Sequence, residues 1–450
     1  MDLMSPVESM MLLAESPGHP MHVAGLQVFQ TPPGAGPEFV REYYQALRSR
    51  DDVAPLFSRR PAALRPAGLN LGWSTATDVD VDYHVRHSAL PRPGRVRELL
   101  ELTSRLHSGM LDRHRPLWET HVIEGLADDR FAVYTKIHHA LVDGVSAINL
   151  LQGSLSTDPL DEEIRAPWST APHPDDRSDA PSRAQTLTRA IKSIPGLGVS
   201  TLGLARSALL EQQLTLPFRA PRTMLNVPIG GARRCAAQSW PMQRIKDVKN
   251  AAGVTVNDVV LAMCAGALRG YLADQNALPD KPLVAMVPVS LRTAGESAGG
   301  NAVTAVLANL ATHLDDPAAR LATISSSMRT NKAVLAGLPR AQAIALGMML
   351  LSPVVLGGVT GSAATPPPFN LCISNVPGSR NPLYANGARL QGSYPMSIAA
   401  NGQALNITLV GSGDRLDFGL VGCRRAVPHL QRLLAHLEAS LKDLERAVGL

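Results

Sequence analysis

Lys136-Ile137-His138-His139-Ala140-Leu141-Val142-Asp143-Gly144 is the stretch on which the reading of this chain turns. Before it, Phe131, Val133, Thr135 and Ile137 recur at every second position, the period at which strand side chains share one face. The predicted strand, residues 131–137, runs directly into two histidines, and a helical pattern follows Gly144 over residues 145–151. Adjacent residues on a strand point to opposite faces, so His138 and His139 do not readily serve one site. That argues against a metal centre made of His138, His139 and Asp143. Taken alone, a histidine pair at a strand end fits a structural role as well as a catalytic one. Asp143 either orients an imidazole or fixes the loop through an ionic bond. Gly144 reads as a tight-turn residue, where the backbone approaches closely or takes a positive φ.

Outward from this stretch, strands and helices alternate. Phe39, Tyr43 and Leu47 fall on one helical face, and Val96, Leu99, Thr103, Leu106 and Met110 on another. A strand is expected over 118–124. From 157 to 183 the chain turns rich in Pro, Asp, Ser and Ala, the composition of a linker. Residues 187–216 are apolar, with Arg189, Lys192 and Arg206 and no acid before Glu211. They read as a crossover helix or as a basic amphipathic element lying on a membrane. The second half offers a helix over 256–272 and strands over 283–290, 369–376, 404–410 and 416–423, with a hairpin turn at 411–414. Leu430, Leu433, Leu434, Leu437, Leu441 and Leu444 form the core stripe of a C-terminal helix. The expectation is α/β, with mixed α+β sheets in two domains: 1–155, a connecting segment 156–232, and 233–450.

A chain of 450 residues exceeds one ordinary domain of roughly 100–200 residues. Hydrophobic residues at 45% against 18% charged exclude a disordered chain, and aromatics at 4% leave the core to Leu, Val and Ala. The net charge of +5 is spread without a Lys/Arg run, which excludes a nucleic-acid arm. It fits a solvated basic surface or one that favours anionic ligands or lipid. Cys235, Cys264, Cys372 and Cys423 are far apart among apolar neighbours and read as buried thiols. Asp2 and Glu8 without a basic region exclude a Sec signal. Residues 341–359 approach the length of a membrane span, but Gln342, Gly347, Ser352, Pro353 and Gly357 interrupt them. A buried helix with its turn is expected there, with an interfacial element or a true span as the alternatives. No G-x-S-x-G elbow is found, so an acyl-enzyme route loses its usual sign.

The central run resembles the HHxxxDG motif of the wax ester synthase/diacylglycerol acyltransferase family. That motif is shared with chloramphenicol acetyltransferase, plant CoA acyltransferases and peptide-synthetase condensation domains. Pro20-Met21-His22-Val23-Ala24-Gly25-Leu26 resembles the family's N-terminal segment, and Arg115-Pro116-Leu117-Trp118-Glu119 its PLW motif. Thr255-Val256-Asn257-Asp258-Val259 resembles its ND motif and Ser374-Asn375-Val376-Pro377-Gly378 its SNVPG segment. Leu405-Asn406-Ile407 and Leu416-Asp417-Phe418-Gly419 look like its C-terminal strands. The departures are Val7-Glu8-Ser9 at an early acidic position, Ser379 where proline is common, and the unmatched 157–183.

The resemblance implies a two-domain chloramphenicol acetyltransferase-like fold, with a tunnel between the domains and His139 within it. It implies transfer of a long-chain acyl group from acyl-CoA to diacylglycerol or a long-chain alcohol. His139 is then the base, since a neutral imidazole can take an alcohol proton near neutral pH. His138 and Asp143 complete the catalytic set, and Gly144 supports it. Asn257 is the candidate oxyanion donor or else a helix N-cap, and Asp258 is structural. Pro116, Leu117, Trp118, Ser374 and Asn375 are candidates for the acyl or acceptor pocket. Superfamily habit pairs Asp143 with an arginine, for which Arg59-Arg60 stands nearest to hand. No metal or cofactor is implied, acyl-CoA being a substrate. Expected partners are acyl-CoA, the acceptor lipid, and a peripheral membrane or lipid-droplet surface. No nucleic acid is expected, and a homodimer is among the assemblies left open. The implied location is the cytoplasm, at the inner face of the membrane or on lipid inclusions. Two other readings stand: a condensation-type domain using carrier-protein thioesters, and a non-catalytic lipid-binding protein.

Overall fold

The structure, a computed structural model, describes residues 2–62, 72–169, 219–290, 303–339 and 366–450, with scattered positions between 342 and 364. Two six-stranded sheets organise it. The first runs, edge to edge, Tyr384–Ala385, Ala388–Met396, His22–Gln30, Arg130–His138, Trp118–Leu126 and Val85–Ala89. His22–Gln30 and Arg130–His138 pair antiparallel in a register that sets His22 opposite His138. Apolar alternation fixes such a register, because a slip of one residue would expose the buried set. Phe131, Val133 and Ile137 indeed share one core with Tyr43 and Leu47 of the helix Phe39–Arg48.

The second sheet runs Val303–Asn309, Val284–Ser290, Leu371–Val376, Leu405–Ser412, Arg415–Cys423 and Arg233–Pro241. The helices Val256–Asp274 and Arg432–Ala447 cover it, with Leu433, Leu437, Leu441 and Leu444 fully buried as their spacing predicts. Val256–Asp274 is long and apolar enough to span a membrane, but most of its side chains lie inside this core. The four cysteines are buried and free. The turn between Leu405–Ser412 and Arg415–Cys423 closes through Gly413 at φ 60°, where glycine meets no Cβ penalty.

Two expectations of domain layout are corrected. Division at 233 does not follow the sheets: Ala388–Met396, from the second half of the chain, pairs with His22–Gln30 in the first sheet. The segment 156–232 is not all linker. Ser156 bridges to Tyr384, and Trp168 is fully buried with its ring stacked 4.9 Å from that of Trp118. Leu225 is buried in the second core. The proposed crossover 187–216 lies outside the described residues, as does part of 341–359. Within the latter Ala343 and Leu350 are buried, while Met349 and Leu356 are exposed.

The sheets meet where Ala388–Met396 crosses the second sheet. A Cβ at Gly419 would run into the carbonyl of Pro395, so only glycine allows this backbone approach. Asp417, fully buried, accepts Ser393 N at 2.7 Å and Ser239 Oγ at 2.6 Å, and Ser239 lies 3.1 Å from the Tyr394 hydroxyl. A carboxylate from one sheet thus holds the backbone of the other.

Candidate active site

His138 ends its strand and is wholly buried, whereas His139, one residue on, is half-buried. Ala140 N donates to His138 Nδ1 at 3.0 Å. Nδ1 is therefore an acceptor, and the ring proton sits on Nε2. Nε2 faces Glu15 Oε1 at 3.4 Å. The backbone N–H of His139 donates to Met21 O at 2.9 Å, which ties the histidine to the segment preceding the first strand. Burial pushes the His139 imidazole below its ordinary value, with His138 adding to the effect and the Asp143 charge opposing it. A neutral imidazole at physiological pH follows.

Beyond His139 the chain turns into the helix Gly144–Gly153, and Asp143 is its N-cap: Oδ1 accepts Ser146 N at 2.7 Å. This corrects the arginine partner. Arg60 bonds Ser74 and His114 O, and Arg59 reaches Asp2. Among the described residues no arginine pairs with Asp143. Gly144 is corrected as well. It has no positive φ, and a Cβ there would meet nothing within 4 Å. Neither a positive φ nor a close backbone approach calls for glycine at this position.

The helix carries the motif to the second sheet. Ile148 packs with Val376 and Val410, and Gln152 Oε1 accepts Ser379 N at 3.0 Å. A proline at 379 could not donate that bond. Ser374 and Asn375, on the same strand as Val376, are half-buried near this contact. The HHxxxDG and SNVPG segments, far apart in sequence, are therefore neighbours.

The other candidates divide. Leu117 and Trp118 are fully buried, Leu117 packed with Leu12 and Ala140 and Trp118 with Phe57 and Val122. Trp118 stacks between His84 and Trp168 and donates to Phe57 O at 2.9 Å, as a core indole must find an acceptor. Pro116 borders a polar surface depression of about 440 Å³ with Arg60, Asp80, His114 and Arg115, which His139 does not line. Thr255, not Asn257, caps the helix Val256–Asp274. Its hydroxyl accepts Asp258 N, and Asp258 Oδ2 in turn accepts Thr255 N at 3.0 Å. Asp258 also lies 3.3 Å from the Ser325 hydroxyl, which donates to it. Asn257 is half-buried, and its side-chain amide makes no hydrogen bond among the described residues.

Sequence reading passed over a buried polar layer beneath the histidines. Glu15, its side chain fully enclosed, accepts Met21 N at 3.1 Å and, through Oε2, Arg113 Nε and Nη2 at 3.0 and 2.9 Å. Burial works against its charge, but His138, Met21 N–H and Arg113 together hold the carboxyl below the usual range. His22 bonds His107 O at 3.1 Å, and His107 bonds Tyr134 and Ser397 O. Burial drives the His107 imidazole down to about 3. Lys136 is enclosed beside Glu119 at 3.3 Å and donates to Leu106 O and Gly109 O. One signal was available for Glu15: an acid ending the apolar helix Pro6–Ala14, where a solvated side chain has no reason to be.

Comparison with known proteins bears on the family and the fold. The model of the wax ester synthase/diacylglycerol acyltransferase catalytic domain matches residues 4–260, and that of the family's C-terminal domain matches residues 299–445. A putative diacylglycerol O-acyltransferase of Mycobacterium tuberculosis is 65% identical over 99% of this chain and 100% of its own. The solved wax ester synthase/diacylglycerol acyltransferase from Marinobacter aquaeolei superposes with a TM-score of 0.79 at 40% identity, covering both chains fully. The first condensation domain of the calcium-dependent antibiotic synthetase shares the fold at 16% identity and a TM-score of 0.58, over 100% of this chain and 96% of that one. The chain belongs to the wax ester synthase/diacylglycerol acyltransferase family.

Proposed function

We propose that His139 is the general base that lets diacylglycerol or a long-chain alcohol attack the thioester of a long-chain acyl-CoA directly. The observation that carries this reading is the state of His139. It is half-buried, held by its backbone at a strand end, and burial keeps the ring neutral at the pH where an alcohol must be deprotonated. The hydroxyl proton passes to the imidazole as the C–O bond forms. The C–S bond then breaks, and the proton leaves with the CoA thiol. The reading calls on no acyl-enzyme, metal or cofactor. Asn257, whose amide is unbonded among the described residues, is the donor assigned to the oxyanion. Ser374 and Asn375 border the acceptor side.

Incubation with labelled palmitoyl-CoA and either diacylglycerol or hexadecanol tests the activity and ranks the acceptors. His139→Ala should lower turnover roughly 10²–10⁴-fold with an unchanged melting point. His138→Gln should cost less turnover. A larger loss for His138→Gln in folded protein would reverse the two roles.

The same reading places the protein peripherally on the inner membrane face or on lipid inclusions, because its acceptors collect at an interface. The exposed Met349 and Leu356 and the net charge of +5 support it. Liposome flotation should show binding that weakens with salt; no binding at any salt would refute it.

A further inference from the structure

We propose that Glu15, clamped by Arg113, is a positioning residue for His139. The inference rests on the reading of His139 as base. Glu15 touches the catalytic turn twice: Oε1 faces His138 Nε2 at 3.4 Å, and the same oxygen accepts Met21 N at 3.1 Å. Met21 in turn accepts the His139 N–H at 2.9 Å. One carboxylate therefore sets both the His138 ring and the peptide to which His139 is tied.

The brace is itself fixed from outside. Arg113 places two nitrogens on Glu15 Oε2 and donates to Leu12 O at 2.6 Å, so it binds the carboxylate and the helix before it. The loop from Glu15 to Met21 is pinned at further points. His19 Nδ1 bonds Ala14 O at 3.0 Å, and Arg233 Nη2 donates to Gly18 O at 3.0 Å.

Packing alone does not explain a charge here. Enclosing a carboxylate costs several kcal/mol of hydration, and an apolar side chain of similar volume is often neutral or more stable. What the charge provides is direction: the oxygen that accepts from Met21 N–H also faces His138 Nε2 at 3.4 Å. A catalytic group displaced by an ångström can lose about 100-fold in rate, which sets the scale of the expected effect.

The test is steady-state kinetics of the full chain with palmitoyl-CoA and diacylglycerol. Glu15→Gln, Arg113→Met, His138→Gln and the Glu15→Gln/His138→Gln double variant are compared, with melting points recorded. Glu15→Gln should lower kcat about 10–100-fold and leave KM for palmitoyl-CoA within about twofold. Because Glu15 acts through His138 and its neighbour, the double variant should lie within about threefold of the worse single one. Retention of kcat within about twofold, or losses that multiply, would overturn the proposal. If Glu15→Gln does not fold, Arg113→Met decides, with the same fall in kcat at constant KM expected. Failure of both to fold would assign the pair to stability and would also overturn it. His139→Ala in the same assay separates the two readings. Full activity there removes the general base, whereas an inactive His139→Ala beside a fully active Glu15→Gln removes only the brace.

Discussion

Asp143 accepts the backbone N–H of Ser146 at 2.7 Å, so the acid of the HHxxxDG motif begins a helix and closes no ion pair among the described residues. Its charge nevertheless reaches His139, where it opposes the effect of burial. One side chain thus does a local structural job and an electrostatic one, and substitutions can separate them.

Asn caps a helix as well as Asp does. Asp143→Asn should therefore melt close to the parent but remove an anion that holds the His139 imidazole up. The ring then stays neutral to lower pH, and the acid limb of the kcat/KM profile should move to lower pH. Asp143→Ala loses the cap too and should cost about 1 kcal/mol in denaturant unfolding. An unmoved acid limb in Asp143→Asn would remove the electrostatic role.

Gly144 opens the same helix with free space where a Cβ would stand. Since alanine favours a helix over glycine, Gly144→Ala should melt at or above the parent temperature. If the free space at Gly144 belongs to the substrate's path, the added methyl would take part of it. We expect a raised KM for the acceptor alcohol with intact folding. A melting point lowered by several degrees would restore the strained-turn reading.

Asp417 predicts a pH dependence of stability. Burial raises its carboxyl to about 6, against the pull of Ser239, Ser393 N–H and Arg415. A folded value above the unfolded one contributes stability that is complete below about pH 4 and lost as pH rises through 6. The loss is on the order of 2–3 kcal/mol. Asp417→Asn should flatten the difference in unfolding free energy between pH 5 and pH 7. Glu119 runs the other way: burial opposes its charge, but His121, Lys136 and Arg86 hold it at about 2, so its contribution fades only in strong acid. An unchanged pH 5–7 slope in Asp417→Asn would show that the carboxyl ionises freely.

Much of this architecture could be read from local pattern. Two-residue alternation marked Arg130–His138, and the leucine spacing marked Arg432–Ala447, because each follows from which face is buried. The opposed histidines could be read for the same reason. The Asp143 cap was local too, an acid directly before a helical run, but superfamily habit drew the reading toward an arginine. Other features carry no local mark. Glu15 meets Arg113 across 98 residues. Ala388–Met396 joins a sheet whose other principal strands end at His138, and the stacking of Trp168 on Trp118 hid inside what reads as linker. Such pairings depend on the completed fold.

The strand Ala388–Met396 has a consequence for biosynthesis. His22–Gln30 lies between it and Arg130–His138. While the ribosome is still making the middle of the chain, the inner strand bearing His22 has one side open, with unpaired N–H and C=O groups exposed. An open edge of apolar strand is a template for pairing with other nascent chains. The half that carries both histidines is completed only when Ala388–Met396 has been made, so the strand bearing His22 keeps an open edge through nearly four hundred residues of synthesis.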